Sequence, residues 1–91
     1  MPLRPITKIH TTSDFKKSFQ KLPSRIQDLA GKKDQWFRVH AFDPRLQTHK
    51  LHGSLEGYWS YSVNAQYRVL FRFVADNEVL YYDIGTHEIY R

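Results

Sequence analysis

The feature that most constrains the fold is a change in the spacing of apolar side chains halfway along the chain. In the first half they recur at alternating spacings of four and three residues, which places them on one stripe of a helix: Phe15, Phe19, Leu22, Ile26 and Leu29. From about residue 58 onwards, apolar and polar residues alternate with the period of two that is typical of β-strands. The sequence therefore predicts helices followed by a sheet.

Two helices are expected in the first half. Ser13 is the predicted N-cap of the first helix, with Asp14 in the first turn, where the helix dipole favours a carboxylate. Pro23 fits the first turn of a second helix better than the middle of one long helix, so that helix is predicted from Pro23 to about Phe42. Gly31 weakens it by about 1 kcal/mol relative to alanine.

Three strands are expected in the second half, joined by hairpin connections: 58–63, 67–74 and 79–84. A short edge strand is predicted at 5–10, and 51–55 could form another edge. The predicted fold class is α+β, with two N-terminal helices packed on one face of a small antiparallel sheet. Residues 1–91 are expected to form a single domain, since a chain this short has one core.

Strand alternation sorts the side chains of 67–74 between the two faces of the sheet. Four aromatic or aliphatic residues point to one side, which we expect to pack on the helices: Tyr67, Val69, Phe71 and Phe73. Arg68, Leu70 and Arg72 point to the other side. A sheet face that carries arginine is suited to an anionic ligand, although either arginine could instead be solvated or pair across strands with Asp83.

The charge of the chain also favours an anionic partner. Its formal net charge is +5 and its pI about 9.6, and neutralising phosphates releases counterions and adds affinity. Residues 1–52 hold 11 of the 14 Lys and Arg but only four of the nine acidic residues, a net charge of +7, whereas residues 53–91 have a net charge of −2. We therefore expect a basic helical half and a nearly neutral, aromatic sheet half.

The absence of cysteine excludes a disulfide framework and a thiolate metal site, as suits a reducing compartment. No stretch approaches the 18 apolar residues of a membrane span, and the first ten residues lack the apolar run of a secretory signal. We expect a cytoplasmic protein without a membrane partner.

The histidines are the side chains best suited to proton transfer near neutral pH, and three lie in or beside the β half: His49, His52 and His87. Cleavage of RNA without a metal needs a base for the ribose 2′-OH, an acid for the departing oxygen and a cation for the charge on phosphorus, which histidine and arginine supply. His49 and His52 have no third ligand nearby, so no metal or other cofactor is expected. His10 and His40 are expected to be structural.

Four ordered motifs resemble the RelE/ParE superfamily of toxins, and within it the YafQ/RelE-like mRNA interferases: Thr48-His49-Lys50-Leu51, Gly53 to Trp59, Tyr67 to Phe71, and Gly85-Thr86-His87. With the layout of the helices, the resemblance covers roughly residues 13–91. It implies a toxin of a bacterial type II toxin-antitoxin pair, a metal-independent endoribonuclease that cleaves mRNA in the A site of the 30S ribosomal subunit. It also implies that the 2′-OH attacks the neighbouring phosphate. A cognate antitoxin protein would neutralise the toxin.

The resemblance assigns roles to individual residues. His87 matches the histidine expected to act in acid-base catalysis at the leaving group, and His49 takes the complementary acid-base or substrate-positioning role. Arg68 is expected to hold the scissile phosphate, and Tyr90 to stack on a base or handle a proton. Four further basic residues are expected to bind substrate: Lys50, His52, Arg72 and Arg91.

The chain departs from the YafQ-like pattern at three positions. Ser62 stands in place of a histidine, Asp83 in place of an arginine, and Gln66 in place of an acidic residue. Two other functions therefore remain open, namely a ParE-like protein that inhibits DNA gyrase without catalysis, and a disarmed toxin that only binds its antitoxin.

Overall fold

The computed structural model describes residues 3–90. In chain order its main elements are β1 (Lys8–Thr11), α1 (Ser13–Gln20), α2 (Ser24–Val39), β2 (His49–Lys50), β3 (Trp59–Ser62), β4 (Arg68–Ala75) and β5 (Glu78–Gly85). Three short 3₁₀ turns lie at Pro44–Leu46, Gly53–Leu55 and His87–Tyr90. Neither of the two helices in this part of the chain is long and apolar enough to cross a membrane.

The five strands form one mixed sheet in the order β1-β5-β4-β3-β2. The predicted α+β class is confirmed, but the expected all-antiparallel sheet is wrong at one edge, because β1 runs parallel to β5, with Lys8 opposite Glu78. The turn between β4 and β5 sets this arrangement, since the Asn77 carbonyl accepts a hydrogen bond from the Thr7 N–H at 2.8 Å. The Asn77 side chain also donates to the Pro5 carbonyl at 2.7 Å.

Two helix boundaries differ from the prediction. Thr12, rather than Ser13, caps α1, because its Oγ1 accepts the Phe15 N–H at 3.0 Å and donates to the Tyr82 carbonyl at 2.7 Å. Helix α2 ends at Val39 instead of continuing to Phe42, since the chain becomes extended at position 40. This extension lets the Ala41 N–H donate to the Arg4 carbonyl at 2.9 Å, which ties the end of the helix to the N-terminal segment.

The strand suggested for 51–55 is wrong. Gly53–Leu55 is a 3₁₀ turn that starts from a left-handed backbone conformation at Gly53, φ 70°, which glycine adopts without strain. The edge strand is instead the two-residue β2, whose His49 lies opposite Ser60 of β3. A very short edge strand leaves few backbone groups for pairing with another chain.

The core lies between the helices and one face of the sheet, as predicted. Phe37 of α2 is fully buried, with its ring 4.7 Å from that of Tyr61 and 4.9 Å from that of Phe71. Val69 and Phe71 of β4 are buried on this face, whereas Arg68 and Arg72 lie on the other. The predicted division of β4 between a core face and an arginine face is therefore correct.

One polar network enters this core from the surface. The Tyr81 hydroxyl donates to Asp34 Oδ1 at 2.7 Å and lies 2.9 Å from the Tyr61 hydroxyl. Arg38 Nε donates to the second carboxylate oxygen of Asp34 at 2.8 Å. Burial raises the pKa of Tyr61 and of Tyr81, so both hydroxyls stay protonated and can donate. The network thereby fixes α2 against β3 and β5.

Replacing Tyr81 with phenylalanine is expected to lower the free energy of unfolding by about 1–3 kcal/mol, because Asp34 and Tyr61 each lose a buried hydrogen-bond partner. Urea denaturation followed by circular dichroism measures the change. The matched control is Tyr67→Phe, since no hydrogen bond of that hydroxyl is found within residues 3–90. Equal losses of stability in the two variants would contradict the role given to the network.

Candidate active site

The sheet face opposite α1 and α2, here called the open face, carries the polar side chains of four strands. One row crosses the sheet through residues in register: His49, Ser60, Leu70 and Asp83. The adjacent row contains Ser62, Arg68 and Gly85. Strand pairing therefore places residues from four separate segments beside one another.

Arg68 is held in place by a serine on the neighbouring strand. Its Nη1 donates to Ser62 Oγ at 2.6 Å, and that hydroxyl lies 3.3 Å from Gln47 Oε1, to which it donates. Ser62 is only 8% exposed, so the bond is shielded from water. Within residues 3–90 this is the one hydrogen bond found for the guanidinium, so its other N–H groups can bind an anion.

His49 is exposed at the edge of the same face, and its geometry favours one tautomer. Its Nδ1 lies 3.0 Å from the Gln47 carbonyl oxygen. Because a carbonyl can only accept, this bond places the proton on Nδ1 and leaves the lone pair of Nε2 directed away from it in the neutral ring. An imidazole held in this way can accept a proton from a ligand at Nε2.

The C-terminal turn, His87–Tyr90, folds back onto the open face. The Tyr90 hydroxyl lies 2.7 Å from Ser60 Oγ, and the rings of His87 and Tyr90 are 6.3 Å apart. Gly85 permits the close approach, since a Cβ at this position would lie 2.9 Å from Ile89 Cγ2. The turn therefore brings Tyr90 to the row that contains His49, and His87 lies at the start of the same turn.

Three of the four residues predicted to be catalytic, His49, Arg68 and Tyr90, thus lie beside Ser60 or Ser62. The fourth, His87, lies in the same turn as Tyr90. The four predicted substrate-binding residues are more dispersed. Lys50 lies on the other face of the sheet edge, 5.9 Å from the Trp59 ring, and His52 is exposed before the 3₁₀ turn at Gly53. Arg72 is exposed further along the open face, and Arg91 lies outside the described residues.

The other sequence-based expectations for polar residues have clear outcomes. His10 contacts Glu78, and His40 Nδ1 accepts the Arg4 N–H at 3.0 Å, so both have structural contacts as expected. Within residues 3–90 Asp83 forms no ion pair with an arginine, and its Oδ1 accepts the Ile84 N–H at 2.8 Å. No group of three potential metal ligands is found in this part of the chain.

Three residues of the site have roles that the sequence did not reveal. Ser62 was interpreted only as the loss of a histidine, yet it positions Arg68, and Ser60 anchors Tyr90. Strand alternation could have placed both serines on the face of Arg68. Gln47 had no comparable signal, because its contacts depend on a left-handed turn at φ 53°.

An aromatic pair lies on the open face beyond Leu70. The rings of Tyr58 and Tyr82 are 4.9 Å apart in an edge-to-face arrangement. Interaction between the two hydroxyls raises the pKa of Tyr58, burial adds to the effect, and nearby Arg72 opposes it. The pair borders a cavity of about 300 Å³ that also reaches Asp83.

This fold is found among solved toxin structures. A YoeB/ParE toxin from Agrobacterium tumefaciens superposes with a TM-score of 0.75 at 18% identity, over 89% of this chain and 99% of that one. YafQ from E. coli has a TM-score of 0.71 at 17% identity, over 90% and 94% of the two chains. The RelBE2 toxin-antitoxin complex from Mycobacterium tuberculosis contains a chain with a TM-score of 0.67 at 22% identity, over 91% and 99%.

These similarities show that the chain has the fold of the RelE/ParE-like toxins, and the resemblance inferred from its motifs is confirmed at the level of the fold. Comparisons of sequence add no further relative, since no protein-family model and no curated protein matches it.

Proposed function

We propose that the protein is the toxin of a type II toxin-antitoxin pair and that it cleaves mRNA on the ribosome without a metal ion. The observation that supports this most directly is that His49, Arg68 and Tyr90 each lie beside one of two buried serines, with His87 in the same turn as Tyr90. Cleavage through a 2′-OH requires three groups: a proton acceptor, a cation and a proton donor.

The proposed reaction is an in-line displacement at phosphorus. His49 Nε2 accepts the proton of the 2′-OH as its oxygen bonds to phosphorus, and Arg68 stabilises the charge on the phosphate oxygens. His87 donates a proton to the 5′ oxygen as the P–O5′ bond breaks. The products are a 2′,3′-cyclic phosphate and a 5′-hydroxyl. We assign Tyr90 the role of stacking on a base or assisting the proton transfer.

We also propose that a cognate antitoxin binds this toxin in the cytoplasm. The toxin-antitoxin complexes RelBE2 from M. tuberculosis and DinJ-YafQ from E. coli contain chains with this fold. The net charge of +7 on residues 1–52 favours an antitoxin with an acidic extended or helical segment.

The function is tested by inducing the wild-type chain and His87→Ala in bacteria and mapping mRNA ends by primer extension. We expect growth arrest and codon-linked cleavage with the wild type, and neither with His87→Ala, because the leaving oxygen then lacks its acid. His10→Ala serves as the control for histidine loss, since the His10 side chain contacts Glu78 at the far edge of the sheet.

Other outcomes separate the alternatives. Unchanged cleavage by His87→Ala would remove that residue from the mechanism. DNA damage without mRNA loss would favour a gyrase inhibitor, and antitoxin binding without growth arrest would favour a disarmed toxin. Repeating the assay with purified protein on free RNA and on programmed ribosomes tests the dependence on the ribosome.

A further inference from the structure

The cavity beside the candidate active site has a mixed lining that differs from that of an anion site. Its walls are aromatic and aliphatic, and its polar groups include carboxylates: Tyr58, Tyr82, Leu70, Ile89, Asp83 and Asp14. A volume of about 300 Å³ is at the lower end of the range for small-molecule sites and is large enough for a planar heterocycle. Tyrosine walls can stack against the π-face of such a ring.

The charge of this lining determines which part of a nucleotide can enter. The carboxylates of Asp83 and Asp14 repel a phosphate but accept hydrogen bonds from N–H groups. Asp83 Oδ1 is held by the Ile84 N–H at 2.8 Å, which fixes the orientation of the carboxylate. No hydrogen bond or ion pair engages its second oxygen within residues 3–90, so that oxygen can bind a ligand.

The distance between Asp83 and Arg68 suits the two ends of one nucleotide. Asp83 lies opposite Leu70, and Arg68 is two residues from Leu70 on the same face of β4. Two residues of a strand span roughly 7 Å and neighbouring strands lie about 5 Å apart, so the backbones at Asp83 and Arg68 are about 8–9 Å apart. A sugar can bridge this separation between a phosphate and its base. A phosphate at Arg68 would therefore place an adjoining base near Asp83.

We propose that this cavity binds a base next to the scissile phosphate and that Asp83 selects guanine, an inference that rests on the proposed ribonuclease function. Guanine is the one RNA base with two adjacent N–H donors on its Watson–Crick edge. They match the unengaged oxygen of Asp83 and the second lone pair of the oxygen that accepts the Ile84 N–H. Adenine and cytosine pair one amino donor with a ring-nitrogen acceptor that a carboxylate repels. Uracil flanks its single N–H with two carbonyl oxygens.

The aspartate at position 83, where the YafQ-like pattern has an arginine, thus gains a chemical role. An arginine there would add a second cation for phosphate, whereas Asp83 adds an acceptor for a base. In this division of roles Arg68, which is hydrogen-bonded to Ser62, binds the phosphate. Asp83 recognises the adjoining base by accepting its N–H groups.

The test uses four 2′-O-methyl tetranucleotides, AAGA, AAAA, AACA and AAUA, which cannot be cleaved through the 2′ oxygen. Their affinities for the full chain are measured by isothermal titration calorimetry, with the wild type, Asp83→Asn and Asp76→Asn. Asp83→Asn keeps an oxygen for the Ile84 N–H but replaces one acceptor with a donor. Asp76 lies in the exposed turn between β4 and β5 and provides the matched control.

We expect the wild type and Asp76→Asn to bind AAGA about tenfold or more tightly than AAUA, within the usual discrimination of a bidentate contact. Asp83→Asn should reduce this ratio to below about threefold, with the thermal melting midpoint unchanged. Equal binding of the four oligonucleotides by the wild type, or an unchanged ratio in Asp83→Asn, would overturn the inference.

A cleavage assay with the same three proteins and unmodified RNA separates the two proposals. Cleavage without guanine preference contradicts the base-selection proposal and leaves the nuclease proposal standing. Guanine-selective binding without cleavage, on free RNA or ribosomes, contradicts the nuclease proposal while supporting the assignment of the base site.

Discussion

Replacing Arg68 with alanine is expected to lower the rate of mRNA cleavage by about 10²–10³-fold, the usual loss when one preorganised donor to transition-state charge is removed. Arg68 is oriented by a 2.6 Å hydrogen bond to a nearly buried serine, so its charge is in place before RNA binds. Single-turnover cleavage of a defined message by purified protein on programmed ribosomes measures the effect. Growth arrest on induction should be lost in parallel.

Two further variants separate the charge of Arg68 from its orientation. Ser62→Ala keeps the guanidinium but removes the hydroxyl that orients it, so a smaller loss of rate is expected. Arg25→Ala removes one positive charge from an exposed position on α2, away from the open face, and is the control for net charge. If Arg25→Ala and Arg68→Ala had equal effects, Arg68 would contribute only to general attraction of RNA.

Replacing Phe37 with alanine is expected to lower the free energy of unfolding by about 3–5 kcal/mol, because it leaves a cavity at the centre of the core. Phe37 is fully buried and its ring lies within 6 Å of the rings of Tyr61, Phe71 and Tyr81. Total stabilities of small domains are about 5–15 kcal/mol. A large fraction of the variant should therefore be unfolded in moderate urea concentrations that leave the wild type folded.

The matched control for this change lies two residues away on the same helix. Val39 is 61% exposed, so Val39→Ala should change the stability by no more than about 0.5 kcal/mol. Urea denaturation of the two variants, followed by far-ultraviolet circular dichroism, gives both values. A loss below about 1 kcal/mol for Phe37→Ala would contradict the packing described for the core.

The parts of the fold that depend on local patterning could be predicted from the sequence. The apolar stripe of α1 and α2 and the alternation in β4 gave the helices, the core face and the arginine face correctly. The partner of β1 could not be predicted, because it is set by hydrogen bonds to the distant turn at Asn77. The end of α2 likewise depends on the contact between Ala41 and Arg4, which no local sequence pattern predicts.

The candidate site was only partly accessible to the same reasoning. Arg68 followed from strand alternation, and the motifs selected His49 and His87. The contacts between Tyr90 and Ser60 and between Gln47 and Ser62 arise only when separate segments meet in the folded sheet. The sequence also suggested that Asp83 could pair with an arginine, but within the described residues it lies in a cavity without such a pair.

The parallel pairing of β1 with β5 has a consequence for the timing of synthesis. Lys8 faces Glu78 across 70 positions of the sequence, so β1 leaves the translating ribosome well before its partner. Because synthesis proceeds at about 5–20 residues per second, β1 and the apolar stripe of the helices lack their partners β4 and β5 for several seconds. The candidate site is assembled from segments between Gln47 and Tyr90 and forms only after the last of them has emerged. The candidate site therefore stays incomplete while most of the chain is being made.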